Sequence, residues 1–368
     1  MITTVAVAGY RSLRSLVLPL SGFDVVTGPN GSGKSNVARA LRLLASAADG
    51  GIVGALAGEG GLTSALWAGK RRRDAPVTVQ LGFASDSFGY LVDLGLPQPG
   101  ETLFTRDPEL KRELIFAGPV ARPSSVLVER TNSIVRVRDD GWRTLDTRIA
   151  PFESILSEAP GAEAAPEILG VRRTVRSWRC YGAFRADRDA PARAPQVGTR
   201  TPVLDEHGRD LAAAIQTIIE SGDRARFDSL VDAAFPGSRV SIRADDGVFS
   251  IEFSRSGLLR PLSAAELSDG TLRMLLLIAA LLSPSPPGML VLDEPESSLH
   301  PDLYPALADL VAAARERTQV VVVSHAAAFV AALERAGATR IGLLAPVGET
   351  NIAGFGLLDG PPWDWRQR

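Results

Sequence analysis

The stretch at 28–35 reads GPNGSGKS, between an apolar run (FDVVT, 23–27) and a segment with apolar residues at helical spacing (NVARALRLLASA, 36–47). It matches Gly-x-x-x-x-Gly-Lys-Ser/Thr in full and lies between a predicted strand and a predicted helix, the context that gives the motif its meaning. Gly28, Pro29, Asn30, Gly31, Ser32 and Gly33 then form a loop whose backbone N–H groups wrap phosphate oxygens. Lys34 supplies a point charge to the β/γ oxygens and Ser35 a hydroxyl to Mg²⁺. Asn36 follows in the first turn of a helix whose N-terminal partial charge favours the anion.

Two further apolar runs end in chemistry. GMLVLDEPESSLHP (288–301) reads as a buried strand ending in Asp293-Glu294, which places two carboxylates at the carboxyl edge of a parallel sheet. Asp293 is expected to serve Mg²⁺, and Glu294 to polarise the attacking water as general base. Glu296 reads as a solvated carboxylate with no assigned role. QVVVVSH (319–325) is a second such strand and ends in Ser324-His325, with His325 placed to reach a γ-phosphate. After residue 265 helices and strands alternate, which indicates a parallel sheet covered on both faces.

ELSDGT (266–271) precedes the apolar helix LRMLLLIAALL. One reading is a helix cap through Ser268 or Asp269. The other is an anion site at the helix N-terminus, built on the Ser268 hydroxyl and Gly270. From the residues alone both stay open.

Composition narrows the class. A hydrophobic content of 45% supports a packed core, and a formal net charge of −2 gives no global field for nucleic acid. Lys34, Lys70 and Lys111 are the only lysines, and Cys180 is the only cysteine. No internal disulfide and no thiolate zinc site can be built from one cysteine, so a reducing cytoplasm is expected. The longest apolar run, MLLLIAALL, is too short for a membrane span, so no membrane partner is expected. Residues 77–149 carry short β runs with turn residues, expected to form antiparallel strands. Residues 185–207, rich in Pro, Arg and Asp, read as a long surface loop, and SRVSIRAD and VFSIEFS read as strands around a turn.

The order of phosphate loop, LSDGT, acidic strand and terminal histidine resembles that of ABC-type ATPases. Within them it is similar to the RecF/SMC-like branch, to stand-alone bacterial AAA-family ATPases and to OLD-like proteins without their nuclease domain. The DEPE-x-x-LHP of 293–301 and the opening GYRSLRSL (9–16) carry the same resemblance. It implies an α/β P-loop NTPase, a two-lobed ABC-type head with a mixed or parallel core sheet covered by helices, and a second lobe of antiparallel β and helices. It implies ATP and Mg²⁺ as cofactors, and Ser268 and Gly270 facing ATP held by a second copy of the chain, with Ser298 to His300 against that copy. Arg11 would touch phosphate, and Gln80 is the nearest candidate for a Q-loop glutamine.

The chain departs from the transporter-type signature, having Asp269 where that has glycine and Thr271 where it has glutamine. A carboxylate aimed at a γ-phosphate repels it, so Asp269 must turn away. The expected lobes are 1–84 with 286–358 for the nucleotide and 85–285 for the inserted signature lobe, with 359–368 as a tail. The expected function is Mg-dependent ATP hydrolysis with ATP-driven dimerisation, acting on DNA in repair or phage defence, or on a partner nuclease. With 43 residues after His325, any nuclease is expected on a separate chain. The alternative is a nucleotide-gated interaction module with slow hydrolysis. The basic stretches KRRR (70–73) and Arg172, Arg173, Arg176 and Arg179 are candidates for DNA contact.

Overall fold

A computed structural model describes all residues except 71–76, 98–102, 159–164, 183, 357–358 and 366–368. The arginines of the KRRR stretch therefore lie outside the described residues. The chain divides into two compact units. Unit 1 comprises Met1–Gly22, Val26–Trp178 and Ile341–Arg368, and unit 2 comprises Phe23–Val25 and Arg179–Arg340. These units are drawn differently from the lobes expected at 84/85 and 285/286. The antiparallel strands after residue 77 belong with the phosphate loop, and LSDGT belongs with the acidic strand and His325.

Unit 1 opens with β1 (Ile2–Tyr10), β2 (Leu13–Pro19) and the last residues of β3 (Phe23–Thr27), followed by α1 (Lys34–Ala47) and the short helices α2 (Ile52–Gly58) and α3 (Leu62–Ala65). Then come β4 (Thr78–Ser85), β5 (Phe88–Gly95), β6 (Glu109–Ala117), β7 (Val126–Thr131), β8 (Ile134–Arg138), β9 (Trp142–Arg148) and α4 (Pro166–Arg176). Eight of these strands form one antiparallel sheet in the order β2-β1-β4-β5-β6-β7-β8-β9. The short, turn-punctuated runs of 77–149 lead to this meander because each pairs with its sequence neighbour. Strand β9 was not among the runs read from sequence, since its alternation is weak and only Leu145 is buried.

Helix α1 buries Val37, Ala38, Leu41 and Leu44 on one stripe, the 3.6-residue pattern that the sequence carries. A buried ion pair joins neighbouring strands. Arg130 and Glu113, both fully buried, lie 2.5 Å apart. Glu113 also accepts from the Tyr90 hydroxyl at 2.6 Å, the Ser154 hydroxyl at 2.5 Å and the Ile155 N–H at 3.0 Å. Burial first, and Glu113 second, push the Tyr90 phenol well above its ordinary pKa.

Unit 2 contains β10 (Arg179–Tyr181), β11 (Gln196–Val197), α5 (Leu211–Ile218), α6 (Arg224–Ala234), β12 (Ser238–Asp245), β13 (Val248–Arg255) and β14 (Leu262–Ser263). It continues with α7 (Asp269–Leu281), β15 (Met289–Asp293), α8 (Tyr304–Ala314), β16 (Gln319–Val323) and α9 (Ala327–Arg335). β10, β15 and β16 are parallel neighbours. The interiors of β15 and β16 are apolar because both faces are covered, and Leu290, Leu292, Val320 and Val322 share one core with Leu275 and Ile278 of α7. Phe23 and Val25 of β3 are buried in that same core, which is why three residues of an N-terminal strand count with unit 2. β12 and β13 form the hairpin expected from sequence, with Asp246 and Gly247 both at positive φ, the geometry of a two-residue turn.

The segment 185–207 is less of a surface loop than its composition suggests. Ala190, Ala192 and Leu204 are buried, and Arg193 is turned inward.

The chain closes with β17 (Thr339–Leu344) and β18 (Asn351–Ile352), which pair antiparallel. In unit 1 the tail residues Trp363 and Trp365 pack against a cluster of Leu91, Leu114 and Phe116, and Arg112 donates to the Trp365 carbonyl at 2.8 Å. Among the described residues no helix is long and apolar enough to cross a membrane.

Candidate nucleotide site

In unit 1 the phosphate loop follows β3 and ends at Gly33, whose φ of 97° belongs to the left-handed region. A Cβ at Gly33 would meet Thr350 Oγ1 at 2.1 Å and Ser12 Oγ at 2.7 Å, so glycine is required twice over. Lys34 is only 6% exposed, and its ammonium donates to the Gly28 carbonyl at 2.8 Å and the Pro29 carbonyl at 3.0 Å. No carboxylate of the described residues pairs with it. A buried cation held only by two carbonyls carries a charge that an anion would compensate, because burying an uncompensated charge is costly. Ser32 Oγ is likewise buried without a partner, while Ser35 at the start of α1 is exposed. These residues fit a triphosphate and the hydroxyl ligand of Mg²⁺.

Asn36 is engaged elsewhere. Its amide donates to Ser12 Oγ at 2.8 Å, and Ser12 in turn lies 2.8 Å from Thr350 Oγ1. Arg11, expected near phosphate, has φ 49° and donates to Glu59 Oε2 from Nε at 3.0 Å and Nη2 at 2.6 Å. The Tyr10 hydroxyl shares that carboxylate at 2.7 and 2.8 Å. Burial, helped by Glu59, pushes the Tyr10 phenol well above its ordinary pKa, so it stays a donor. Gln80 lies on β4, half-buried, and donates to the buried Asp93 at Oδ1, 2.6 Å away, as a strand residue. Arg176 pairs with Asp49 at 2.8 Å.

In unit 2 the strand β15 ends at Asp293, and Glu294 follows with φ 49°, a left-handed conformation that costs a non-glycine residue about 1–2 kcal/mol. Its N–H donates to the Val323 carbonyl at 2.8 Å, tying it to the end of β16. His325 Nδ1 lies 3.0 Å from Glu294 Oε1. The expected base and the expected histidine are thus hydrogen-bonded to each other across two parallel strand ends. Glu296 corrects the sequence reading. It is 2% exposed, not solvated, and accepts from the Ser324 hydroxyl at 2.5 Å, with Oε2 buried and unpartnered. The signal that could have found it is the Ser-His at the end of the neighbouring strand, which needs a partner in that layer. No group of three or more His, Cys, Asp or Glu able to hold a metal occurs among the described residues. A Mg²⁺ held by a hydroxyl, one carboxylate and phosphate oxygens needs no such group.

LSDGT forms the N-terminus of α7, and Ser268 is its cap, accepting from the Thr271 N–H at 3.1 Å. Asp269 does turn away, but not to cap the helix. It takes an ion pair from Arg193 Nη2 at 2.7 Å. The same guanidinium donates to the carbonyls of Leu267 at 2.7 Å and Ala264 at 3.0 Å through Nη1, and to Ala186 at 2.7 Å through Nη2. Arg193 was not found from sequence, because it sits 76 positions from Asp269 inside a stretch that reads as loop. A Cβ on Gly270 would meet the Ser298 carbonyl at 2.8 Å, so this glycine is needed for close packing whatever it binds. Ser298 itself has φ 65°.

Comparison with known proteins bears on the family and the fold. No curated protein matches the chain. Among solved structures it is similar to an SmcHead bound to the C-winged helix domain of ScpA, at 15% identity and TM-score 0.55, covering 97% of this chain and 98% of that one. It is also similar to the Smc head of Pyrococcus furiosus bound to the C-terminal domain of ScpA, at 14% identity and TM-score 0.53, covering 96% and 95%. The Smc head with coiled coil and joint from Pyrococcus yayanosii matches at 11% identity and TM-score 0.52, covering 97% and 98%. At these identities the likeness is one of fold: the P-loop NTPase fold of ABC-type, SMC-like ATPase heads. The family described as "AAA domain, putative AbiEii toxin, Type IV TA system" matches residues 24–331, well over half of the chain. By that match the chain belongs to this family, and its fold is that of the SMC heads.

Proposed function

We propose that the chain binds MgATP on residues 28–36 and hydrolyses it, with ATP binding driving the association of two copies. The observation that carries hydrolysis is the Glu294–His325 contact of 3.0 Å at the ends of β15 and β16. Glu294 is held in a strained backbone conformation with its carboxylate fixed by the imidazole, as a positioned general base is. In this reading Lys34 binds the β/γ oxygens, and Ser35 and Asp293 hold Mg²⁺, which supplies charge neutralisation on the phosphates. His325 orients Glu294 through Nδ1, and as the imidazolium it would donate from Nε2 toward the γ-phosphate. Association of two copies is supported by the helix N-terminus at Ser268, where the hydroxyl and the first N–H groups of α7 suit a phosphate. Arg193 supports it too, because it neutralises the carboxylate that would repel that phosphate.

Wild-type protein should release phosphate from MgATP, and Glu294→Gln should lose about 10²–10⁴-fold in kcat. Light scattering on Glu294→Gln should then show a doubled mass with MgATP and an unchanged mass when Ser268→Arg is added. If the mass ignores both MgATP and Ser268→Arg, Ser268 is a helix cap and nothing more.

A further inference from the structure

Helix α7 carries an almost unbroken apolar sequence, DGTLRMLLLIAAL, with one interruption at Arg273. That arginine is 9% exposed and has no carboxylate salt bridge among the described residues. Leucine would pack at such a position at far lower desolvation cost, so the guanidinium needs another reason to be there.

Its contacts supply one. Nη2 donates to the backbone carbonyl of Glu294 at 2.9 Å, and Nη1 to the carbonyl of Phe184 at 3.3 Å. Glu294 carbonyl also accepts from the Ser297 N–H at 3.1 Å, so both its lone pairs are used. The main chain of Glu294 is thereby held from two sides, by β16 through its N–H and by α7 through its carbonyl, at the residue whose φ is left-handed. Burial pulls the Arg273 guanidinium below its ordinary pKa, and Glu296, Glu294 and Asp293 oppose that pull. The cation thus sits in the field of all three carboxylates of the acidic segment. One turn toward the N-terminus, Gly270 packs against the Ser298 carbonyl without room for a methyl group.

From this geometry we infer that Arg273 is a positioning residue that ties the Ser268 end of α7 to the backbone of Glu294, so that the phosphate site and the base of one chain move as a single body. This inference rests on the proposed function and deepens it. A phosphate presented by a second copy at Ser268 pulls on α7, and Arg273 passes that displacement to the carbonyl of the base. Each copy's base is then set by its partner's nucleotide, which makes hydrolysis contingent on association.

The test uses the full chain with MgATP. Arg273→Ala and Arg273→Gln should each lower kcat by about 10²-fold with KM held, the size expected from misplacing a reacting group by about 1 Å. Added guanidinium should restore part of kcat to Arg273→Ala. Gly270→Ala, which pushes α7 off the Ser298 carbonyl, should lower kcat in the same way without guanidinium rescue. If the Arg273 variants fail to fold, Gly270→Ala decides alone, and wild-type kcat there overturns the inference. So does wild-type kcat in either Arg273 variant, or kcat and KM deteriorating together with no rescue, which marks a packing role. A wild-type chain that hydrolyses no ATP sinks the hydrolysis reading first and this inference with it, whereas active wild type with indifferent Arg273 variants sinks only this one.

Discussion

The phosphate loop of unit 1 and the Ser268–Glu294–His325 region of unit 2 are built by opposite means. In the loop, geometry is set by backbone: glycines at positive φ, a lysine folded onto two carbonyls, and a helix start. In unit 2 it is set by side chains reaching across sequence. Arg193 spans 76 positions to Asp269, Arg273 spans 21 to Glu294, and His325 spans 31 back to Glu294. Local backbone requirements leave a fixed spacing of residue types, whereas long-range side-chain bonds leave none. The loop can therefore be found in a string of letters, and the scaffold of the base cannot.

The largest effect that would sharpen this contrast is one of stability. Arg130→Met in unit 1 leaves Glu113 buried without its cation and should cost about 3–5 kcal/mol, read from the urea midpoint. A loss under about 1 kcal/mol would mean that Tyr90, Ser154 and the Ile155 N–H suffice to hold the carboxylate. Next come two glycines of the same loop. Gly31→Ala meets nothing within 4 Å and should cost only the strain of φ 78°, about 1–2 kcal/mol. Gly33→Ala adds a collision with Thr350 to a similar strain, and should abolish ATP binding measured by equilibrium dialysis. Equal behaviour of the two would break the claim that close approach defines the loop.

A smaller effect belongs to unit 2. Ser268→Ala removes the cap of α7 and should cost about 1 kcal/mol in thermal unfolding. The smallest is a titration beside that cap. Glu266, in a capping box with Ser263, is lowered from 4.5 to about 2, first by the hydrogen bond from Arg260 and then by Ser263. Because the folded value is the lower one, its contribution is complete above about pH 4.5 and fades as pH falls toward 2. A Glu266 carboxyl resonance titrating near 4.5 in the folded protein would remove that contribution.

Much of the fold was legible, for reasons particular residues make plain. The apolar runs at 289–293 and 319–323 could only be strands covered on both faces, and Asp246-Gly247 could only be a tight turn between two alternating runs. Glu294 and His325 were legible as strand-end residues, though not as each other's partners. Glu296 was misread because a carboxylate after a proline looks like surface until Ser324 is known to lie against it. The units differ from the expected lobes because the pattern along the sequence changes near 77 and after 265, while the packing changes at 178 and 340. Arg193 and Arg273 were invisible for the same physical reason: an arginine inside a proline-rich stretch or an apolar helix does not announce which carbonyl it will find.

The five tryptophans of the chain, Trp67, Trp142, Trp178, Trp363 and Trp365, all belong to unit 1, so unit 2 contains no indole at all. Intrinsic tryptophan emission is therefore a spectroscopic reporter of one unit only, with Trp363 and Trp365 in edge-on contact 5.6 Å apart at its tail. Far-ultraviolet dichroism sees the helices of both units. A chemical unfolding curve followed by the two signals together would separate the melting of the phosphate-loop unit from that of the unit that holds the base, with no label added to either.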